Sequence, residues 1–189
     1  MYVVNLKERP ERLQRFKRSF PWPHTVWEAV DGRGKDIVYD SNGMTIQGLT
    51  GGEAGCFLSH YGIWKDAVKR GYSRFLVFED DADCDVRRLN DAINESWKYD
   101  VFYASTNYVH NPGTVGPKLT KGFEYVFGAT AYVVTNKAAQ RFIEDTLIPG
   151  DKPPLDLFIS SPDRRLNQAA LSKGVHACKP RGEQSDSVL

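Results

Sequence analysis

Five carboxylates lie within seven consecutive positions of this chain, directly after the apolar run RFLVF at residues 74–78. They are Glu79, Asp80, Asp81, Asp83 and Asp85. Two like charges about 4 Å apart repel by roughly 4 kcal/mol at an effective dielectric near 20, so the cluster needs a neutralising partner, raised pKa values or exposure to water. Carboxylate oxygens suit Mg²⁺ or Mn²⁺, which commonly bind through one or two carboxylates and substrate phosphates. The alternative is a solvated acidic turn in which Asp83 or Asp85 caps the next helix, and we expect Asp85 to cap it in either case.

The predicted elements place this acidic run at the end of a central strand. A continuous apolar run is typical of a strand covered on both faces, and ligands of open α/β sheets bind at the carboxyl ends of such strands. The alternation of strands and helices favours a layered α/β fold. We predict strands at residues 2–6, 25–29, 74–78, 100–104 and 124–134, the last broken at Gly128. We predict helices at residues 10–18, 53–70 and 86–97, one capped by Asn136 that runs to 147, and a short one from near Leu155, with loops at 35–52 and 105–120.

Composition excludes several classes of protein. Lys and Arg total 25 against 24 Asp and Glu, a net charge of +1, so no global field attracts nucleic acid or an anionic membrane. No stretch approaches the roughly 20 apolar residues of a transmembrane helix, and the start of the chain lacks a signal-peptide pattern. Cys56, Cys84 and Cys178 form no CxxC pair and no zinc-ligand spacing, which favours a reducing compartment. We therefore expect a cytoplasmic domain with no nucleic-acid partner and no transmembrane segment.

Motifs along most of the chain combine into one pattern. Residues 52–60 (GEAGCFLSH) precede Ile63-Trp64 and the strand end 76–82 (LVFEDDA). Further matches are 4–12 (VNLKERPER), 29–32 (AVDG), 131–135 (AYVVT) and 154–156 (PLD). The last part of the pattern is matched only loosely, at Pro180, Gln184 and 185–187 (SDS). The combination resembles glycosyltransferase family 25, which includes lipooligosaccharide and collagen hydroxylysine galactosyltransferases. Residues 36–48 and 105–120 carry no family signature, which leaves the acceptor open, and the chain is short for such enzymes.

The resemblance implies a GT-A-like nucleotide-sugar-binding fold with a mixed, mostly parallel central sheet flanked by helices. It implies one glycosyltransferase domain over residues 1–189, with a nucleotide-sugar-binding half at 1–104, an acceptor-binding half at 105–181 and a polar tail at 182–189. The implied donor is a UDP-sugar, with galactose favoured and glucose close behind, and the implied cofactor is Mn²⁺ or Mg²⁺. The acceptor would be a saccharide or a protein-linked group.

The resemblance also assigns roles in the reaction. The Glu-Asp-Asp run is similar to that of the N-acetylglucosaminyltransferase that initiates complex N-glycans, which makes Asp81 the predicted metal ligand, with Glu79 and Asp80 touching ribose or organising the site. Asp83 is the second-choice ligand, because residues 81–83 read Asp-Ala-Asp. A divalent ion would stabilise the departing UDP, and a general base must take the acceptor proton. Asp156 is the candidate base for one inverting displacement; its alternative role is a helix N-cap. The reserve candidates are Glu53 and Asp163.

Nucleotide contacts are predicted from three other segments. Asn5, Arg9 and Arg12 follow the first strand, where an Arg can meet phosphate bidentately, although a basic first helix is also an ordinary solvated face. Asp31 could accept a hydrogen bond from uracil or ribose, or simply form the Asp-Gly turn. Ser59 and His60 are the last two predicted nucleotide contacts, and the alternative for His60 is a structural core residue. His110, in the 105–120 loop, could meet the acceptor.

Two other functions fit parts of the pattern. An apolar strand that ends in Asp-x-Asp also describes Mg²⁺-dependent phosphohydrolases of the haloacid-dehalogenase type, but the sequence Asp81-Ala82-Asp83-Cys84 and its mid-chain position depart from that pattern. A non-catalytic sugar-binding domain is the second alternative.

Overall fold

The computed structural model of the protein describes residues 1–105, 107–128, 130–172 and 177–180, of which Lys179 and Pro180 are described by their backbone alone. The predicted tail at 182–189 lies outside these residues, as do Gln184 and residues 185–187 of the closing motif. The helices are α1 (Pro10–Ser19), α2 (Gly51–Lys69), α3 (Val86–Ser96), α4 (Asn136–Leu147) and α5 (Leu155–Ser160), followed by a 3₁₀ turn at Pro162–Arg164. The strands are β1 (Tyr2–Asn5), β2 (Thr25–Glu28), β3 (Arg74–Glu79), β4 (Ala82–Cys84), β5 (Val101–Ser105), β6 (Tyr108–His110), β7 (Thr114–Val115), β8 (Leu119–Lys121), β9 (Tyr125–Phe127), β10 (Ala131–Thr135), β11 (Gln168–Leu171) and β12 (Cys178–Pro180).

One eight-stranded sheet organises the molecule, in the order β2-β1-β3-β10-β5-β11-β8-β7. Strands β1, β2 and β3 are parallel, whereas β10 is antiparallel to both β3 and β5. Strand β11 is parallel to β5 and antiparallel to β8, which is antiparallel to β7. Six strands therefore run in one direction, with β10 and β8 opposed. The predicted α/β fold with a mixed, mostly parallel sheet flanked by helices is confirmed.

Side-chain alternation along the strands builds a core on each face of this sheet. On one face, Val77 and Tyr132 pack with Trp64 of α2 and with residues of α4 and α5. On the other face, Phe78 packs with Phe16 of α1 and with residues of α3. Because helices cover both faces, β3 is apolar throughout its centre, as its unbroken RFLVF run predicts.

Two predictions about local structure are wrong, and three strands were not predicted. Residues 105–120 are not a loop, because they contain β6, β7 and part of β8; strands of two or three residues are too short to show alternation in the sequence. Asn136 does not cap α4, since the Thr135 hydroxyl accepts from the Ala138 N–H at 3.3 Å and Asn136 is the first helical residue. Strands β4, β11 and β12 were not predicted at all; their ladders depend on partners far away in the chain.

The cysteine prediction also needs correction. Strands β4 and β12 pair antiparallel with Cys84 opposite Cys178, and the two residues form a disulfide across a sequence separation of 94. Their wide separation in sequence therefore does not separate the two cysteines in space, and the cysteines no longer support a reducing compartment. Cys56 is the free cysteine.

None of the helices formed by the described residues has the length and apolar character needed to span a bilayer. The division at residues 104 and 105 stays a prediction. Strands from both predicted halves lie in the eight-stranded sheet.

Candidate active site

A cleft lies where β1, β2 and β3 end. Parallel neighbouring strands bring their carboxyl ends to the same edge of a sheet, so the residues that follow them converge although they are far apart in sequence. The cleft encloses about 660 Å³ of empty space, part of it open to solvent. Its lining includes Arg12, Asp31, Ser59, His60, Glu79, Asp80 and Asp81, so most of the predicted site residues meet here.

The three consecutive acids at the end of β3 are not equivalent. Asp80 is buried, and its carboxylate accepts from Asn5 Nδ2 at 2.6 Å and from Arg12 Nη1 at 3.4 Å. Glu79 and Asp81 are half-buried. Burial, followed by the charges of Asp81 and Asp80, raises the pKa of Glu79 to about 8. The folded protein therefore disfavours the ionised form of Glu79.

The structure separates Asp83 and Asp85 from these three acids. Asp83 is exposed at the middle of β4, between the buried Ala82 and Cys84, and it is not part of the cleft lining. Alternation along the strand turns it away from the face that its neighbours occupy. Asp85 caps α3, as predicted, by accepting from the N–H groups of Arg87 at 2.9 Å and Arg88 at 3.1 Å.

Segment 4–12 contributes buried hydrogen bonds that hold the end of β1 as well as part of the cleft lining. Asn5 is 5% exposed, and Nδ2 also donates to the Arg9 carbonyl at 3.0 Å. Arg9 is the N-cap residue of α1 and lies outside the cleft lining. Of the arginines in this segment, Arg12, whose side chain is 11% exposed, is the one that lines the cleft.

The loop after β2 lies directly against α2. A Cβ at Gly55 would approach the Val30 carbonyl oxygen to 2.4 Å, and one at Gly32 would overlap the Gly51 carbonyl oxygen, so both positions require glycine. The Ser59 hydroxyl donates to the Gly55 carbonyl at 2.6 Å and accepts from the Val30 N–H at 2.8 Å. These contacts fix the loop at the cleft.

Asp31 is held by its own loop. Arg33 donates from Nε and Nη2 to the two carboxylate oxygens of Asp31, at 2.9 Å each, and the hydrogen bonds with Arg33 lower the pKa of Asp31 to about 2. Asp31 thus enters the cleft as a carboxylate already paired with a guanidinium, and Arg33 is a cleft residue that sequence reasoning missed.

His60 is fully buried in the cleft wall. Its Nδ1 lies 2.7 Å from the Tyr132 hydroxyl, which also accepts from Trp64 Nε1 at 3.1 Å. Burial lowers the pKa of His60 to about 3, so the ring is neutral. A ring nitrogen of His60, the Cys56 thiol and a Glu79 carboxylate oxygen lie within 4.8 Å of one another. Sequence reasoning missed Cys56 and Tyr132, although the i, i+4 spacing of Cys56 and His60 on α2 was a usable signal.

Asp156 approaches the acids from another element. It is the second residue of α5, and Pro154, not Asp156, occupies the N-cap position. Its Oδ2 accepts from the Gly128 N–H at 3.1 Å and its Oδ1 from the Leu157 N–H at 2.9 Å. The Asp156 charge contributes to the raised pKa of Glu79, which places it near the acids although it is outside the cleft lining.

The reserve candidates have other surroundings. Glu53 completes the capping box of α2, accepting from the Thr50 N–H and hydroxyl at 2.9 and 2.8 Å. Asp163 is exposed in the 3₁₀ turn. His110 lies on β6, 3.3 Å from the Glu124 carboxylate.

Comparisons with known proteins identify the family of this chain. The model of glycosyltransferase family 25 (LPS biosynthesis protein) matches residues 1–152. The chain belongs to glycosyltransferase family 25. This membership gives no support to the phosphohydrolase alternative.

Two curated relatives show the range of the family. The probable inactive glycosyltransferase 25 family member 3 of Rattus norvegicus is 30% identical over 171 residues, covering 76% of this chain and 29% of the relative. Procollagen galactosyltransferase 2 of Homo sapiens is 26% identical over 185 residues, covering 84% of this chain and 29% of the relative. The chain thus spans less than a third of the length of these relatives. Among solved structures, A197 from STIV is similar over 90% of this chain and 80% of that chain, with 11% identity and a TM-score of 0.47, a score that carries no functional conclusion.

Proposed function

We propose that this chain is a divalent-cation-dependent, inverting glycosyltransferase that moves a hexose, with galactose favoured, from a UDP-sugar to a saccharide or protein-linked acceptor. The observation that carries the proposal is the convergence of Glu79, Asp80 and Asp81 with Arg12 and Asp31 in one cleft at the strand ends. Family membership supports the transferase class, and the human relative's name supports galactose.

The cleft residues fit a hard divalent ion. Glu79 and Asp81 offer carboxylate oxygens, the donors that Mn²⁺ and Mg²⁺ prefer. Burial, followed by the charges of Asp81 and Asp80, raises the pKa of Glu79, and a dication bound beside it would favour its ionised form. Asp81 would hold the ion, and Glu79 would support it. The ion would supply Lewis-acid stabilisation of the diphosphate that leaves the sugar.

The chain's own groups can orient the diphosphate. Arg12 enters the cleft beside the acids and is anchored at 3.4 Å to Asp80, so its guanidinium is held in place before a ligand binds. Gly52, in the first turn of α2, lines the same cleft, and the amino end of a helix favours anions. Arg33 and Asp31 form the adjacent wall, where a ribose or uracil could hydrogen-bond.

Asp156 is the proposed general base. Two backbone N–H groups fix its carboxylate, and its position on α5 brings it toward the acids from a different element than β3. A base held in this way would accept the proton of an acceptor hydroxyl while the hydroxyl attacks the anomeric carbon.

A second candidate function is donor binding without transfer. Its support is that relatives from rat and mouse are named as inactive. Such a domain would bind a UDP-sugar in the cleft and release no UDP.

Cytoplasmic location remains a separate proposal, now without support from the cysteines.

UDP release from a panel of UDP-sugars, with and without Mn²⁺, tests the proposal. We expect Mn²⁺-dependent release that falls at least about 100-fold in Asp81→Asn, because a transition-state interaction is lost. The matched control is Asp91→Asn, which changes an exposed carboxylate on α3 and should keep wild-type activity. Donor binding by calorimetry with no release from any UDP-sugar would favour the second candidate. Mn²⁺-independent release would sink the proposed role of the ion.

A further inference from the structure

The wall of the cleft contains a three-residue donor set of which the proposed transfer reaction uses only Glu79, as support for the ion at Asp81. Cys56 and His60 lie one turn apart on α2, which places them on the same face of the helix. Glu79 ends β3 across from them, with Cys56 Sγ 4.0 Å from Glu79 Oε1. The ligand atoms of all three residues lie within 4.8 Å of one another. A thiol, an imidazole and a carboxylate thus converge from two elements.

The His60 ring provides an independent observation. Nδ1 is engaged with the Tyr132 hydroxyl, whereas Nε2 is buried and has no hydrogen-bond partner among the described residues. Buried polar atoms in native proteins are nearly always paired, and leaving one unpaired costs about 1–3 kcal/mol. A fully buried imidazole nitrogen without a partner therefore indicates a ligand.

The surroundings of His60 resemble those of metal-bound histidines. Tyr132 and Trp64 form a hydrogen-bonded pair that fixes the orientation of the ring. Metal-binding histidines almost always use their second ring nitrogen in such a contact. Burial keeps the ring neutral, which is the protonation state that a metal ligand requires.

We propose that Cys56, His60 and Glu79 form a binding site for one divalent cation of the zinc class, with a fourth position open to the cleft. Zinc accepts sulfur, imidazole nitrogen and carboxylate oxygen together, and sites with three protein ligands keep one position free. In a tetrahedral zinc site, ligand atoms are about 3.3–3.8 Å apart, from bond lengths of about 2.0–2.3 Å. Small side-chain rotations would bring atoms that already lie within 4.8 Å to that spacing.

The donor chemistry separates this site from the hard ion proposed at Asp81. Thiolate sulfur selects softer cations, whereas Mn²⁺ and Mg²⁺ prefer oxygen. The main rival is a Cys-His nucleophile. Burial and the charge of Glu79 raise the pKa of the Cys56 thiol well above its usual value, which disfavours the thiolate that a nucleophile needs. A coordinated cation would deprotonate the thiol outright.

Titration of the disulfide-intact, metal-free protein with Co²⁺ and with Zn²⁺, without donor or acceptor, tests the proposal. We expect one Co²⁺ per chain with sulfur-to-cobalt charge-transfer absorption, and displacement of the cobalt by one Zn²⁺. Zn²⁺ should also protect Cys56 from alkylation by iodoacetamide. Because Cys84 and Cys178 are bonded to each other, both thiol signals report on Cys56.

The variant Cys56→Ser should abolish the charge-transfer band and weaken Zn²⁺ binding at least about tenfold. The control Asp81→Asn should keep the band, since Asp81 is outside the donor set. Cobalt binding without a thiolate band, or equal Zn²⁺ affinity in folded Cys56→Ser and wild type, would overturn the site. Failure to protect the wild-type thiol would also overturn it, even if the variant misfolds. None of these readouts depends on glycosyl transfer, so the site and the proposed function fail separately.

Discussion

The side-chain amide of Asn5 donates a 2.6 Å hydrogen bond to Oδ2 of Asp80, joining the ends of β1 and β3 beneath the cleft. Arg12 approaches the other oxygen of the same carboxylate at 3.4 Å. The protein itself therefore compensates the charge of Asp80. Among the three acids at the end of β3, this pairing distinguishes one organising carboxylate, Asp80, from Glu79 and Asp81, which we assign to the proposed Mn²⁺ or Mg²⁺ ion.

Replacing Asn5 by Ala should lower the free energy of unfolding by about 1.5–3 kcal/mol, because a buried bond to a charged group is lost. Urea denaturation monitored by circular dichroism measures this. Asn94→Ala, at an exposed position of α3, should change stability by less than about 0.5 kcal/mol. Equal effects of the two substitutions would show that the Asn5–Asp80 bond contributes no stability.

Asp83→Asn should retain Mn²⁺ affinity and UDP release within about twofold of wild type, because Asp83 is exposed and outside the cleft. Asp81→Asn should lose both. Calorimetric titration with Mn²⁺ and the UDP-release assay compare the two variants directly. A large loss in Asp83→Asn would restore the Asp-x-Asp pair that the sequence suggested.

Asp156→Asn should reduce transfer to an acceptor by about 10²–10⁴-fold, the range of a lost general base. The substituted amide still has an oxygen that can accept from a backbone N–H, so donor affinity should be preserved. Steady-state transfer and donor titration separate the two effects. Full transfer activity in this variant would exclude Asp156 as the base.

The stability of the metal-free protein should fall as pH rises from about 6.5 to 8; below 6.5 the lowered pKa of His60 opposes the effect of Glu79, because unfolding frees an imidazole that binds a proton. The pKa of Glu79 is raised from 4.5 to about 8, mainly by burial, so within this window the folded state holds a proton that the unfolded state releases. Urea denaturation across this range with chelator present measures the slope. Glu79→Gln cannot ionise and should flatten it; an unchanged slope in that variant would assign the pH dependence to other groups. Added Mn²⁺ should stabilise the wild type more at the upper end of the window, where the carboxylates are ionised.

Loss of the Cys84–Cys178 disulfide should destabilise the protein by about 2–4 kcal/mol, since the bond closes a long loop in the unfolded chain. The double variant Cys84→Ser/Cys178→Ser tests this by urea denaturation. Cys56→Ser, which leaves the disulfide in place, is the matched control. Thiol counting on denatured, unreduced protein should give one free thiol. Three free thiols would contradict the pairing and revive the argument for a reducing compartment.

The sequence determined the features that depend on near neighbours in the chain. The apolar run RFLVF and the carboxylates that follow it predicted both the central strand and the acidic site at its end. Helical periodicity predicted α2, and Asp85 was correctly expected to cap α3. These features follow from backbone preferences and side-chain spacing within a few residues, which can be read without knowing the partner of each segment.

Only the tertiary structure decided which distant residues meet. Asp81 and Asp83 are two positions apart, yet the pairing of β4 with β12 leaves Asp83 exposed while Asp81 stays in the cleft. The same pairing joins Cys84 to Cys178. The convergence of Glu79 with Cys56 and His60 likewise requires β3 to pack beneath α2. Strand order and packing set these contacts, and neither is encoded in any local period of the sequence.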